Sequence, residues 1–415
     1  MHFPELAIWT LSLAGILCML LRPRRIAEAW WVCGAALLLI VARLIPLERA
    51  CQAAWKGLDV YLFLTGMMIL AELAREEGVF DWVAGWAAQH ANHSPQRLFL
   101  LVYAVGTIVT ALLSNDATAV VLTPAVLAVV RRARVEPKPH LLACALIANA
   151  ASFVFPISNP ANLVVFDNHI PPLANWLSIF AVPSIASIVV TFACLRLVSH
   201  ADLRGSIEDN AAPAPLSSEG KFALAGLLFA AAALIASSAF GLSLGAPTCA
   251  AAVLAMLLVA WRDRGVMPRV IKGVSWSVLP LVAGLFIIVE ALESTGLLKA
   301  CLAGLQALAQ MPAFASKLIA ALAVALASNG MNNLPVGLIS AAAIQTGHES
   351  GILAHAVLIG VDLGPNLSVT GSLATILWLI ALRREKVHIS ALEFFKVGLI
   401  AMPLALIASV LLLRI

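Results

Sequence analysis

Leu113-Ser114-Asn115-Asp116-Ala117-Thr118-Ala119 lies inside a long apolar run that closes at Arg131. A carboxylate at the centre of a bilayer costs roughly 2.5–3.5 kcal/mol even on mild insertion scales, so Asp116 is a functional candidate by position alone. Asn115, Asp116 and Thr118 gather the polar atoms of the run at one point. A second polar island, Ser328-Asn329-Gly330-Met331-Asn332-Asn333, sits at the matching place in the second half of the chain. The two islands read as two walls of one site for a small solute.

The surroundings of these islands are membrane-like. The chain has 415 residues, 62% of them hydrophobic and 12% charged, with a mean hydropathy of +0.98. Its apolar runs are about 17–24 residues long, enough for a hydrocarbon core of about 30 Å. The sequence therefore predicts an all-α polytopic membrane protein. The first run, Leu6 to Leu21, lacks a basic start and is followed by Arg22, Arg24 and Arg25, so it reads as a retained span. The seven cysteines are scattered singly with no CxxC pair, which fits helix packing better than disulfides or zinc. No phosphate loop, nucleophile–His–acid set or metal-ligand spacing is present. No enzyme activity, cofactor, metal or nucleic-acid partner is expected.

Ten spans are expected, at 5–21, 28–46, 57–73, 139–166, 174–198, 222–240, 244–261, 274–291, 351–382 and 392–413. Residues 97–131 and 313–346 are too long for one helix and too short for two with a normal loop. Each has a polar middle, so each is expected to be a re-entrant helical hairpin, with its non-helical tip sheltered by protein or a water-filled cavity. Segments 78–92 and 296–311 read as interfacial connecting helices. With both hairpins re-entrant, the basic loops at 22–25, 131–138, 262–272 and 383–386 share the cytoplasmic side, and the poorer loops near 48–56, 167–173, 241–243 and 292–312 lie outside. Both termini are then expected outside an inner (plasma) membrane.

The halves repeat. Gly66, Glu72 and Gly78 recur as Gly284, Glu290 and Gly296 at identical spacing. Ser114-Asn115 recurs as Ser328-Asn329, and Pro156 to Asn162 as Pro365 to Ser372. Five spans and one hairpin per copy make the second copy inverted, with broken helices at 139–166 and 351–382. Residues 1–198 form the first repeat, 199–221 a cytoplasmic linker and 222–415 the second repeat.

The candidate solute-binding residues are Asn115, Thr118, Ser158, Asn159, Asn162, Ser328, Asn329, Asn332, Asn333, Ser368, Thr370 and Ser372. Amides and hydroxyls both donate and accept hydrogen bonds, which suits a neutral polyhydroxyl solute. A carboxylate solute would normally meet a cation, and neither island has one. Sodium held by Asp116, amides and unwound carbonyls is the competing guest. The candidate coupling acids are Asp116, Asp362, Glu72 and Glu290, with Asp116 foremost because it alone ionises within a tip. All these residues also have structural readings, as caps, turn formers or partners of interfacial cations. His90, His93 and His140 are expected in solvated loops.

The run Ser114-Asn-Asp-Ala-Thr-Ala-Val-Val-Leu-Thr-Pro124 resembles the first hairpin motif of the arsenite permease (ArsB) family of the ion transporter superfamily. Met331-Asn-Asn-Leu-Pro335 resembles its second tip, and Val361 to Trp378 its last broken helix. The resemblance runs from about residue 57 to the C-terminus. It implies secondary active export of trivalent arsenic and antimony hydroxides (arsenite, antimonite) in exchange for protons, and in some members a cytoplasmic arsenite-stimulated ATPase subunit. The family frequently has an acid where this chain has Asn149, and a lysine where it has Asn366. The wider superfamily leaves open a sodium- or proton-coupled carrier of the dicarboxylate or Na+/H+ type.

Overall fold

The computed structural model describes residues 3–166, 170–207, 215–347 and 351–414. Residues 208–214 of the expected linker and 167–169 of the loop at 167–173 lie outside the described residues. The first half contains α1 (Phe3–Leu21), α2 (Glu28–Val41), α3 (Leu47–Lys56), α4 (Leu58–Glu76), α5 (Val79–Gln89), α6 (Pro95–Leu112), α7 (Asn115–Ala117), a π-turn (Thr118–Leu122), α8 (Thr123–Arg132), α9 (Pro137–Ala150), α10 (Pro160–Phe166) and α11 (Leu173–Val198). The second half contains α12 (Ser218–Ala239), α13 (Gly245–Ala260), α14 (Val266–Gly273), α15 (Val278–Glu293), α16 (Leu297–Ala309), α17 (Ala313–Met331), α18 (Asn333–Gly347), α19 (Gly351–Leu363), α20 (Leu373–Arg384) and α21 (Ala391–Leu412). Apart from the split second leg of hairpin 1, the two series match element for element.

Among the described residues seven helices are long and apolar enough to cross a membrane, or eight with the bent pair Leu47–Lys56 and Leu58–Glu76. Two of the seven, α6 and α17, are the first legs of hairpins. The shorter apolar helices α2 and α13 and the two broken helices supply the remaining crossings of the ten-span plan. Two short helices fall where loops were expected. α3 and α14 occupy 47–56 and 266–273, where charged residues mask an amphipathic repeat.

Residues 95–132 turn back on themselves. Thr110 and Thr118 hydroxyls hydrogen-bond at 2.8 Å, and Gly106 faces Leu122 and Thr118. Such pairing is antiparallel. Near the mouth, the Phe99 ring meets His140, which lies beyond the end of the returning leg. His140 is therefore not solvated as expected; it is fully buried against Phe99, with Nδ1 bonded to the Glu136 carbonyl. In hairpin 2, α17 and α18 pack on each other across a break at Asn332. α5 braces both legs of hairpin 1, and α16 both legs of hairpin 2.

Three of the basic loops, at 131–138, 262–272 and 383–386, collect on one face. Arg131 pairs with Glu385, Glu77 and Arg132 line one cavity, and Arg269 bridges Glu76, Glu77 and Asp263. α4 carries the chain from there to Lys56 on the other face, about 28 Å away at 1.5 Å per residue. On that face Lys56 pairs with Glu290 and Gly241 approaches Pro172. Hairpin 1 opens toward the basic face. Hairpin 2 opens opposite, with Gln345 and Thr346 beside Lys56 and Glu290. Packing mirrors this inversion: α2 lies on α15 as α13 lies on α4, and α10 touches α18 as α20 touches the returning leg of hairpin 1.

Candidate functional site

Four helical segments begin at one point. Ser114 caps α7, its Oγ accepting from the Ala117 N–H at 3.3 Å. Asn159 caps α10, its Oδ1 accepting from the Ala161 N–H at 3.0 Å. Ser372 and Thr375 form a capping box at the start of α20. Asn332, at φ 75° and ψ 152°, breaks hairpin 2, and its Oδ1 accepts from the Leu334 N–H. Asn332-Asn333 thus stands where Ser114-Asn115 stands in hairpin 1. The expected match with Ser328-Asn329 is one turn early, because those residues complete α17.

Between these starts lies a small polar cavity. Its polar lining is Asn115, Asp116, Asn159, Asn333 and Ser372, closed by Leu64, Pro160, Leu334, Leu373 and Ala374. No Lys, Arg or His is among these residues. Helix N-termini carry partial positive charge, and Asp116 brings the one formal charge. Asp116 also lines a larger cavity with Glu72, Ser114, Val120, Pro160 and Gly273. That cavity leads toward the basic face, since Glu72 is one turn from Glu76 and bonds Arg75 at 2.6 Å.

The other candidates hold backbone. Asn162 Nδ2 donates to the carbonyls of Ser152, Phe155 and Pro156. Ser158 ties the same unwound segment to the Ala111 carbonyl of hairpin 1 at 2.9 Å. Asn329 donates to the Ala325 and Gly364 carbonyls, and Ser368 donates to Asn329 Oδ1 at 2.6 Å. Thr370 donates to the Asn329 carbonyl, and Asn332 to the Thr370 carbonyl. Ser328 donates to the Val324 carbonyl, and Thr118 staples hairpin 1. Unwound backbone in a membrane interior needs such partners. Glu290 sits apart, paired with Lys56 at 2.9 Å. Asp362 is buried behind the cavity and accepts from Asn159 at 2.7 Å.

Sequence reading missed Gly273, Ser152, and the bond that joins Asn149 to Asn366 at 3.0 Å. A Cβ at Gly273 would fall on the Glu72 carboxylate, so glycine there gives Glu72 its place. Among the cysteines Cys51 is exposed, not packed.

Two broken helices, two opposed hairpins and a small polar cavity where they meet define a membrane transporter of small ions or solutes. The chain belongs to the citrate transporter (CitMHS) family, whose profile matches residues 13–362. It is 28% identical over 400 residues to an arsenical pump membrane protein of Escherichia coli strain K12, covering 93% of this chain and 92% of that one. It is 28% identical over 394 residues to the protein of the same name in Yersinia enterocolitica, covering 91% of each. The crystal structure of the Alcanivorax borkumensis YdaH transporter, described as having an unusual topology, superposes with a TM-score of 0.58 at 14% identity. It covers 87% of this chain and 86% of that one, a likeness of fold.

Proposed function

We propose that this chain is a secondary active transporter that moves trivalent arsenic and antimony hydroxides out of the cell in exchange for protons. The observation that carries this reading is the lining of the small cavity: three amides, a hydroxyl and one carboxylate, with no cationic side chain among the described lining residues. Arsenous acid is a neutral trihydroxide, and each of its hydroxyls can donate to or accept from an amide. Asn115, Asn159, Asn333 and Ser372 would hold it. The arsenical pump relatives, matched over nearly their whole length, support the same solute.

Asp116 is the coupling acid in this reading. It lines both the solute cavity and the larger cavity leading to the basic face, taken as cytoplasmic. A proton arriving on Asp116 and a solute arriving at the amides then compete for one polar lining, the simplest route to exchange. A citrate-like carboxylate is the second reading, favoured by the family match and by the helix N-termini at the cavity. Asp116 opposes it. Docking of a cytoplasmic ATPase subunit on the basic face remains part of the proposal.

The test is metalloid accumulation and growth of an arsenite-sensitive bacterium carrying this chain. Lower accumulation of arsenite and antimonite is expected. Equal accumulation with and without membrane-inserted protein overturns the proposal, and citrate or succinate uptake transfers it to the carboxylate reading.

A further inference from the structure

A crevice without a polar side chain opens beside hairpin 1. Its walls belong to α5, α6 and α12. The lining is Val, Leu, Ile, Phe and Ala throughout, reaching from Val105 to Leu113 on α6 and from Leu224 to Ala231 on α12. α5 packs on both of the other helices. Ile108 on α6 and Leu228 on α12 are each more than half exposed. Both helices are apolar enough to cross a membrane, so this opening faces lipid. Water finds no hydrogen-bond partner in such a wall, and unfilled space forfeits dispersion contacts. An extended peptide would leave its N–H and C=O groups unpaired there. A hydrocarbon chain meets neither cost.

The crevice has the depth of one leaflet. Leu113 directly precedes the tip of hairpin 1, so its inner end lies near mid-membrane. Its other end points to the basic face, where α12 begins: a Cβ at Gly220 would touch the Glu77 carbonyl, and Arg269 bridges Glu77. From Ala231 back to Lys221 is about 15 Å at 1.5 Å per residue, half of a hydrocarbon core about 30 Å thick. From Leu112 back to Arg97 is about 22 Å, the outer edge of a headgroup layer in a bilayer about 40–45 Å thick overall.

The two cations at that end line up with the walls. Lys221, Leu224 and Leu228 follow one side of α12, and Arg97, Val105, Ile108 and Leu112 one side of α6. Lys221 and Arg97 are both exposed. The nearby acids are turned elsewhere. Glu219 is two residues from Lys221, on the opposite side of α12. Glu77 and Asp81 line a separate cavity with Trp82, on the other side of α5.

We propose that the crevice seats one acyl chain of an anionic phospholipid from the leaflet of the basic face, with Lys221 and Arg97 serving its headgroup phosphate. The lipid completes the packing of the first leg of hairpin 1 against α5 and α12. The site stands whichever solute the transporter moves.

The experiment places the purified full chain in nanodiscs of equal phosphatidylglycerol and phosphatidylcholine, with a trace of phosphatidylglycerol carrying a diazirine in its acyl chain. After photolysis the label should concentrate on the α6 and α12 walls, above the lipid-facing residues of α1, α2 and α21. Native mass spectrometry should show phosphatidylglycerol retained over phosphatidylcholine. Removing both cations, in Arg97→Gln/Lys221→Gln, should cut that preference roughly ten-fold or more, at about five-fold per cation. Lys386→Gln, elsewhere on the basic face, should leave it unchanged. Ala231→Phe fills the inner end of the crevice and should abolish labelling of Leu224 and Leu228; the double variant, altered only at exposed positions, carries the test if this one misfolds. Label spread evenly over the lipid-facing helices, equal retention of the two lipids, or an equal loss in Lys386→Gln overturns the proposal.

Discussion

Gly364 closes α19 where it crosses α17, and it is the position at which a single methyl group should do most damage. An ideal Cβ there would lie 2.6 Å from both Cα and the carbonyl oxygen of Ala325. Ordinary carbon contacts begin near about 3.5 Å, so the helices must part by about 1 Å to admit it. The obstacle is backbone in the middle of a helix, which cannot rotate aside. Gly360, one turn earlier, meets the Ala321 carbonyl in the same way, so the crossing has no slack. Overpacking of this kind typically costs about 1–3 kcal/mol. Gly304 in α16 is the control, since nothing lies within 4 Å of its Cβ position. There Ala should stabilise by up to about 1 kcal/mol through helix propensity. The assay is the fraction of monodisperse protein surviving heat in detergent. Gly364→Ala should melt well below wild type, with reduced transport because α17 carries the first leg of hairpin 2, and Gly304→Ala at or above it. A Gly364→Ala protein as heat-resistant as Gly304→Ala would refute the packing argument.

Other expectations follow from the tips and the loops. Asp116→Asn keeps shape and hydrogen bonding but removes titration. It should abolish proton-driven efflux from vesicles while sparing downhill exchange; a wild-type pH profile would instead leave Asp116 as a cap. Ser114→Ala removes the cap of the returning half-helix and should lower stability by about 0.5–2 kcal/mol, with Ser114→Thr close to wild type in the same melt. Tags at residue 266 should report the cytoplasm and at 170 the outside, and a reversal at either would sink the orientation.

Much of this was legible in the residues because membranes punish misplaced polarity. Asp116 and its neighbours could be tolerated only at a sheltered tip, and the Gly66–Glu72–Gly78 spacing repeated at Gly284–Glu290–Gly296 announced the duplication. The register of the second tip was not legible. Asn329 and Asn332 look alike as letters, and only the positive φ of Asn332 separates the last turn of a helix from its break. Nor could the sequence sort amides that line the cavity from amides that satisfy carbonyls. Asn159 and Asn162 are three residues apart on α10, yet one borders solute space and the other fastens Ser152, Phe155 and Pro156. Distant partners such as Asn149 and Asn366 depend on the crossing of two broken helices, which no local pattern encodes.

The cavity that reaches Asp116 has a counterpart on the opposite face. Phe286, Val289, Glu290 and Leu338 line it where Met68, Ala71, Glu72 and Val120 line the first, each pair separated by 218 positions. The counterpart stops short of both hairpin tips. Glu72 pairs with Arg75 of its own helix beside the room left by Gly273, whereas Lys56, from the preceding helix, fills the corresponding space and binds Glu290. Exchanging the shapes of the two halves would therefore not return an equal energy. A half-exposed ion pair of this kind contributes at most about 1 kcal/mol, roughly a five-fold bias in occupancy. If the chain works by exchange, as proposed, that bias would set a resting face, and its loaded and empty half-cycles should then run at unequal rates.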